Sequence, residues 1–381
     1  MSGHLQALAG GRIFDGDRIV EGQAVLVEDG RIAALVPERD IPGGAERVAL
    51  EGGLLAPGFI DVQVNGGGGV MLNDSPTVDG VRTMAEAHRR FGTTGMLPTL
   101  ITDTPEKMPA AIDAVRRAGA EGVPGILGIH LEGPFLNVER KGVHDPRLIR
   151  PITEEDIAVA TSLGTGKTLV TLAPERAPAG TVRRLTEAGV LVCAGHTVGP
   201  YDAIRAAIAE GLRGFTHLFN AMAPFDSREP GVVGAALDDP GTWCGIIVDG
   251  HHVHPASVRV ALAAKPRGRM MLVSDAMAPV GAADPSFVLK GETITAIDGR
   301  CATADGTLAG SALDMASAVR NTVAWLGQTV EEALRMASLY PAAFLALDDE
   351  LGRIAPGYRA DLVLLDDDLV VRRTWIGGKA D

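Results

Sequence analysis

Five residues carry side chains able to bind a metal ion or move a proton, and each stands at or just past the end of a short apolar run. They are Glu132 in His130-Leu-Glu-Gly-Pro134, His196 in Gly195-His-Thr197, His217 in Thr216-His-Leu-Phe-Asn220, His252 in Asp249-Gly-His-His252, and Asp275 in Ser274-Asp-Ala276. Two histidines and a glutamate from three separate strands match a catalytic zinc-type site, in which three protein ligands leave a fourth position for water. A divalent ion at such a site lowers the pKa of water and polarises a carbonyl, while a nearby carboxylate takes the water's proton and passes it to the leaving group. Glu132, His196 and His217 are the candidate ligands and Asp275 the candidate carboxylate. A lone strand-end histidine is usually a hydrogen-bonded loop residue, and Asp275 could cap the turn before Ala276-Met-Ala-Pro279. Those separate explanations do not account for five such residues in corresponding places.

The elements that must hold these residues are eight apolar runs, at 54–64, 95–101, 125–131, 168–172, 190–194, 214–217, 244–248 and 270–274. Amphipathic stretches separate most of them, at 78–91, 105–118, 153–163, 180–188, 200–210 and 255–264, and two more follow at 313–326 and 331–347. Alternation of this kind predicts repeated βα units and a parallel sheet. Eight strands predict an α/β fold, a (β/α)8 TIM-type barrel, whose functional face lies at the C-terminal ends of the strands. Short apolar segments broken by Asp15-Gly16 and Asp29-Gly30, and the similar texture of the last thirty residues, predict a small β-sandwich domain built from both chain termini. The expected division is 1–55 with 351–381 for the sandwich and 56–350 for the catalytic barrel, with a β-hairpin insertion near 287–308.

Composition narrows the function classes. Lys and Arg total 35 against 48 Asp and Glu, a net charge of −13 in 381 residues, which disfavours a nucleic-acid partner. Cys193, Cys244 and Cys301 are too widely spaced for a zinc ribbon and read as reduced packing residues. Residues 1–11 show no basic start followed by an apolar stretch, and no apolar run approaches about 18 residues. The expectation is a cytoplasmic protein with no export signal and no membrane span.

Longer motifs make the pattern more specific. Ala56-Pro-Gly-Phe-Ile-Asp-Val-Gln-Val-Asn-Gly66, His130-Leu-Glu-Gly-Pro-Phe135, Lys141-Gly-Val-His144, Thr216-His-Leu-Phe-Asn-Ala-Met222, Arg228-Glu-Pro-Gly231, Asp249-Gly-His-His-Val253 and Gly306-Thr-Leu-Ala-Gly-Ser311 span nearly the whole chain. With them the sequence resembles the N-acetylglucosamine-6-phosphate deacetylase family of the amidohydrolase superfamily. The resemblance implies hydrolysis of the acetamide of N-acetylglucosamine 6-phosphate, with Glu132, His196 and His217 on the metal and Asp275 as base and then acid. It implies that His144 meets the acetamide or anomeric region and that Gly133, Asn220, Ala221 and Leu308 contact the substrate. It also implies that His252 and Arg228 bind the 6-phosphate, with Arg228 reaching a neighbouring subunit's site in a homodimer. One divalent ion per subunit is expected, Zn2+ first, with Fe2+, Co2+ or Mn2+ open to the same ligands.

One departure from the wider superfamily is informative. Many amidohydrolases carry His-x-His at the end of the first strand, where period-2 alternation aims both rings at a second metal. Here the pair is Gln63 and Asn65, weak zinc ligands, so a single metal is expected. Of His251 and His252 only one should reach the substrate, since neighbours in extended chain point apart. His254, before Pro255, should begin a helix, and Arg228 could equally form a surface ion pair with Glu229. Two other functions remain open: an amidohydrolase acting on a cyclic amide or amine, and a catalytically silent barrel.

Overall fold

The computed structural model describes residues 5–381; Met1 to His4, part of the stretch read for a leader, lie outside the described residues. Eight strands pair in sequence order, all parallel: Phe59–Val64, Thr93–Ile101, Gly128–Glu132, Lys167–Leu172, Leu191–Ala194, Gly214–Phe215, Trp243–Ile246 and Met270–Leu272. Their residues are buried almost without alternation, as expected where helices cover one face of a parallel sheet and the barrel interior the other. A parallel bridge between Val64 and Ala276 brings the eighth strand's end back to the first, completing the ring.

Local sequence sets the helices between these strands. Thr77 accepts a hydrogen bond from Gly80 N ahead of the helix Val78–Arg89, whose Val81, Met84 and Ala87 turn inward at helical spacing. Thr153 and Asp156 form a reciprocal capping box on Glu154–Ala160, and Arg150 pairs with Asp156 at 2.5 Å.

Three boundaries differ from the sequence reading. The run 54–64 is two strands: Leu54–Pro57 joins another sheet, and the barrel strand begins at Phe59. Gly58 stands at the break, where a Cβ would lie 2.1 Å from Thr94 Oγ1 and only glycine fits. The segment 331–347 is likewise two helices, Val330–Ala337 and Leu339–Phe344. Pro341 lacks an N–H and would crowd the Ala337 carbonyl in a continuous helix, but in the first turn of a new one it is tolerated. Finally, Gly231–Asp238 forms a helix that its glycines and valines did not suggest. Close packing requires Gly234, whose Cβ would stand 2.2 Å from Pro230 Cβ.

Both ends of the chain build the smaller part. A six-stranded sheet runs in the order Lys379–Ala380, Val371–Ile376, Leu362–Leu365, Leu54–Pro57, Arg12–Phe14, Ile19–Val20. A four-stranded sheet runs Arg31–Pro37, Gln23–Glu28, Gln6–Ala9, Glu46–Ala49. Leu8, Val25 and Ile32 of one share a core with Ile13, Leu362 and Trp375 of the other. The segment near 287–308 holds two antiparallel pairs, Ser286–Leu289 with Glu292–Thr295 and Arg300–Ala302 with Leu308–Ser311. They pack Phe287, Ile294 and Cys301 against Met277 beside the barrel mouth. All three cysteines are free and buried, and burial pushes the Cys244 thiol up to about 12. No helix among the described residues is long and apolar enough to cross a membrane.

Candidate metal centre and active-site cavity

Short strands leave the reactive residues on the turns that follow them. His196 and His217 come two residues after the fifth and sixth strands and Asp275 three after the eighth, with φ of +49°, +33° and +53°. Non-glycine residues seldom adopt this left-handed region, at a cost of order 1 kcal/mol or more each. Three such residues at one barrel mouth place the backbone strain where the side chains converge.

Glu132, the last residue of the third strand, sends Oε1 to within 3.1 Å of His196 Nε2 and 2.9 Å of His217 Nε2, and the two Nε2 atoms are 3.1 Å apart. All three side chains are buried. His196 Nδ1 lies 2.8 Å from the Arg140 carbonyl and must donate to it, which in the neutral ring leaves the lone pair on Nε2. Three atoms about 3 Å apart share a point roughly 2 Å from each, the bond length of zinc to histidine nitrogen or carboxylate oxygen. This donor set fits a divalent cation, and a ring N–H fixed on a backbone carbonyl is the usual support for a metal-binding histidine. Burial opposes charge on Glu132 and on His217, but their mutual attraction and hydrogen bond outweigh it, holding the carboxyl well below its usual range and raising the imidazole.

Asp275 and His144 line the same cavity as this cluster. Burial first, and the charge of Glu132 second, push the Asp275 carboxyl up to about 6, against His217, His252 and a hydrogen bond from Asn65. His144 Nδ1 accepts from Thr102 N at 3.3 Å and faces Thr102 Oγ1 at 2.7 Å. That arrangement fixes the ring proton on Nε2. Burial, followed by His196, lowers the His144 pKa well below its ordinary value, so the ring is a neutral N–H donor at pH 7.

These residues line a cavity of about 350 Å³, which also takes in Asn65, Asn220, Ala221, His252 and Leu308. His252 Nδ1 donates to Asp249 Oδ2 at 2.6 Å, while His251 turns away to the Asp298 carbonyl and His254 caps the helix Pro255–Ala264 through Ala256 N. Gln63 is buried just behind the cavity, bridging Glu132 and Asp275. Gly133 is not in the lining; its N–H donates to the Thr171 carbonyl, shaping the turn after the third strand. Arg228 also stays outside this cavity, exposed. Glu229 does not pair with it but accepts from the N–H groups of Tyr201 and Gly231. The sequence reading did not single out Ile101, Glu139, Arg140 and Met277, which also line the cavity. The one signal for Arg140 was its place next to Lys141-Gly-Val-His144.

Comparison with known proteins agrees with this arrangement. The Amidohydrolase family profile matches residues 54–380, and a profile described as the NagA composite domain matches 6–55. An N-acetylgalactosamine-6-phosphate deacetylase of Shewanella sp. (strain ANA-3) is 43% identical, over 97% of this chain and 94% of its own. An N-acetylglucosamine-6-phosphate deacetylase of Haemophilus influenzae is 37% identical, over 93% and 94%. The crystal structure of N-acetylglucosamine-6-phosphate deacetylase from Pasteurella multocida superposes with a TM-score of 0.95 at 37% identity, covering 99% of each chain. On a profile match over most of its length and relatives this similar from end to end, the chain belongs to the amidohydrolase family, in its branch of amino-sugar 6-phosphate deacetylases.

Proposed function

We propose that this chain hydrolyses the acetamide of N-acetyl-D-glucosamine 6-phosphate to D-glucosamine 6-phosphate and acetate, in amino-sugar breakdown or recycling. The observation that carries the reading is the meeting of Glu132 Oε1, His196 Nε2 and His217 Nε2 within 3.1 Å of one another in a cavity that Asp275 also lines. A silent barrel would have no need to keep this set. The name of the 43% identical relative favours a second reading, the C4 epimer N-acetylgalactosamine 6-phosphate as the preferred substrate.

Glu132, His196 and His217 would hold one divalent ion, Zn2+ first, with Fe2+, Co2+ or Mn2+ suited to the same donors. Bound there, the ion supplies acidification of water and polarisation of the acetamide carbonyl. Asp275 takes a proton from the attacking water as its oxygen adds to the carbonyl carbon, then gives that proton to the sugar nitrogen as the C–N bond breaks. His144, with its proton on Nε2, donates to the carbonyl oxygen as negative charge builds there. Asn220, Ala221 and Leu308 border the sugar, and the backbone at Gly133 fixes the turn behind Glu132.

His252 binds the 6-phosphate, held by Asp249, together with Arg228 from a second copy of the chain. What supports a homodimer is surface chemistry around Arg228. Phe225 and Val260 are 62% and 65% exposed, in an apolar groove with Tyr201, Pro230 and Leu237. A −13 protein needs a local cation for a phosphate dianion, and arginine matches phosphate geometry. The net charge of −13 accords with an enzyme without nucleic-acid partners, and we read it as cytoplasmic.

The test is acetate release by metal-loaded protein from both 6-phosphate epimers, with unphosphorylated N-acetylglucosamine and a chelator-treated sample alongside. Metal-dependent turnover that prefers the glucosamine phosphate is expected. Preference for the galactosamine phosphate would establish the second reading, and turnover indifferent to phosphate would remove His252 and Arg228 from the substrate site.

A further inference from the structure

Gln63 and Asn65 stand where related barrels place a second pair of metal-binding histidines, yet their contacts describe a different task. Asp275 Oδ1 accepts from Asn65 Nδ2 at 2.7 Å and from Gln63 Nε2 at 3.1 Å, and the same Gln63 nitrogen donates to Glu132 Oε2 at 3.1 Å. Ionised carboxylate oxygens only accept, so the nitrogen of each amide must face them. A residual metal position would turn the amide oxygens inward instead. Gln63 lies on the first strand and Asn65 one residue past its end, and their register against the eighth strand's end is fixed by the backbone. Asp275 N donates to the Gln63 carbonyl at 3.0 Å, and Asn65 N and Gly66 N both donate to the Ala276 carbonyl at 2.9 Å. Asp275 Oδ2, by contrast, has no hydrogen-bond partner among the described residues, while Asp275 lines the cavity.

We propose that Gln63 and Asn65 are positioning residues, an amide clamp that fixes Asp275 by its Oδ1 and leaves Oδ2 as the oxygen that carries the proton. The proposal rests on the reading of Asp275 as the proton carrier. The clamp has a second consequence. Gln63 stands between two carboxylates, one shared with the metal ligands and one needed for proton transfer, and its single N–H₂ keeps them on opposite sides of one donor. An imidazole at either position would bring a competing electron pair and a different reach.

The experiment uses Asn65→Leu and Gln63→Met, which keep approximate shape and remove the donors, each alone and in an Asp275→Asn background. Each single change should lower kcat about ten- to a hundredfold, the usual cost of removing a supporting hydrogen bond behind a catalytic group, with KM within about twofold and one metal ion retained. In the Asp275→Asn background neither should lower the residual rate further, because residues acting through one group are not additive. Additive losses, or a change confined to KM, would overturn the clamp. Crystal structures of the two single variants provide a substrate-independent reading. A rotated Asp275 carboxylate supports the clamp, and an unmoved one in both variants overturns it. If the metal-loaded wild type released no acetate, the proposed reaction would fall while these structures would still decide the clamp.

Discussion

If Asp275 carries the proton, as proposed, it sets the acid side of the pH dependence. Its carboxyl, pushed up to about 6 by burial and by Glu132, is a base only above that value. Below it, kcat/KM should fall about tenfold per pH unit as the proton carrier fills. A bound cation adds positive charge nearby and can move this limb only to lower pH. Rate profiles of the metal-loaded enzyme should therefore show an acid limb at or below about pH 6, and a limb above 7 would remove Asp275 from this role. Glu132, His196, His217 and Asp275 were legible in the sequence because each follows an apolar run that ends at the same barrel face. The partners of Gln63 and Asn65 were not, since they depend on how the ring closes between segments some two hundred residues apart. Arg140 was hidden for a related reason: which residues line a cavity depends on the path of a loop, and loops carry little periodic signal.

At the scale of elements, Asp61 joins the first and eighth strands beneath the mouth. Its carboxylate accepts from Ser274 Oγ, from Ser274 N at 3.3 Å and from Gln63 N at 3.2 Å. Burial raises its pKa to about 7 against these hydrogen bonds. A raised carboxyl holds its proton more tightly in the folded state, so its contribution is complete below the unfolded value near 4 and is lost as pH rises to about 7. Relative to Asp61→Asn, which cannot ionise, the wild type should lose stability between pH 4 and 7, by on the order of a few kcal/mol. Urea midpoints of both proteins at pH 5 and pH 8 would check this, and a difference independent of pH would contradict it. The eight strands themselves were readable as apolar runs of strand length. The breaks at Gly58 and Ser338 were not, because each answers to a steric demand of a neighbour, Thr94 in one case and the ring of Pro341 in the other. The helix Gly231–Asp238 forms against its own propensities, held by packing that a linear pattern does not contain.

For the whole molecule, the decisive question is where Arg228 works. If it serves the cavity of a second copy, Arg228→Ala and Asp275→Asn damage different sites of one dimer. Each homodimer should be nearly inactive on the phosphorylated substrate. Dissociated and reassociated together, they should recover about a quarter of wild-type activity, since half the dimers are mixed and each mixed dimer has one intact site. No recovery despite mixed dimers, measured by acetate release after tag-selective purification, would place Arg228 in its own subunit's site, and a fully active Arg228→Ala homodimer would remove it from both. The barrel and its accessory sheets were visible in composition and punctuation along the chain, but an interface has no sequence period, and the proposed one rests on the exposed Phe225 and Val260.

The join between the two parts also orders events during synthesis. Leu54–Pro57 lies in the middle of the six-stranded sheet, pairing with Arg12–Phe14 on one side and Leu362–Leu365 on the other, and only Gly58 separates it from the first barrel strand. A ribosome that has delivered all eight barrel strands and every residue of the metal centre still holds back the strand that covers this edge. Until Leu362–Leu365 emerges, the nascent chain carries the residues of the candidate metal centre beside an apolar strand open on one side, the kind of edge that chaperones shield and aggregates recruit. A stop between Ser311 and Leu362 would therefore spare every candidate site residue and still expose the protein to quality control rather than to a loss of catalysis.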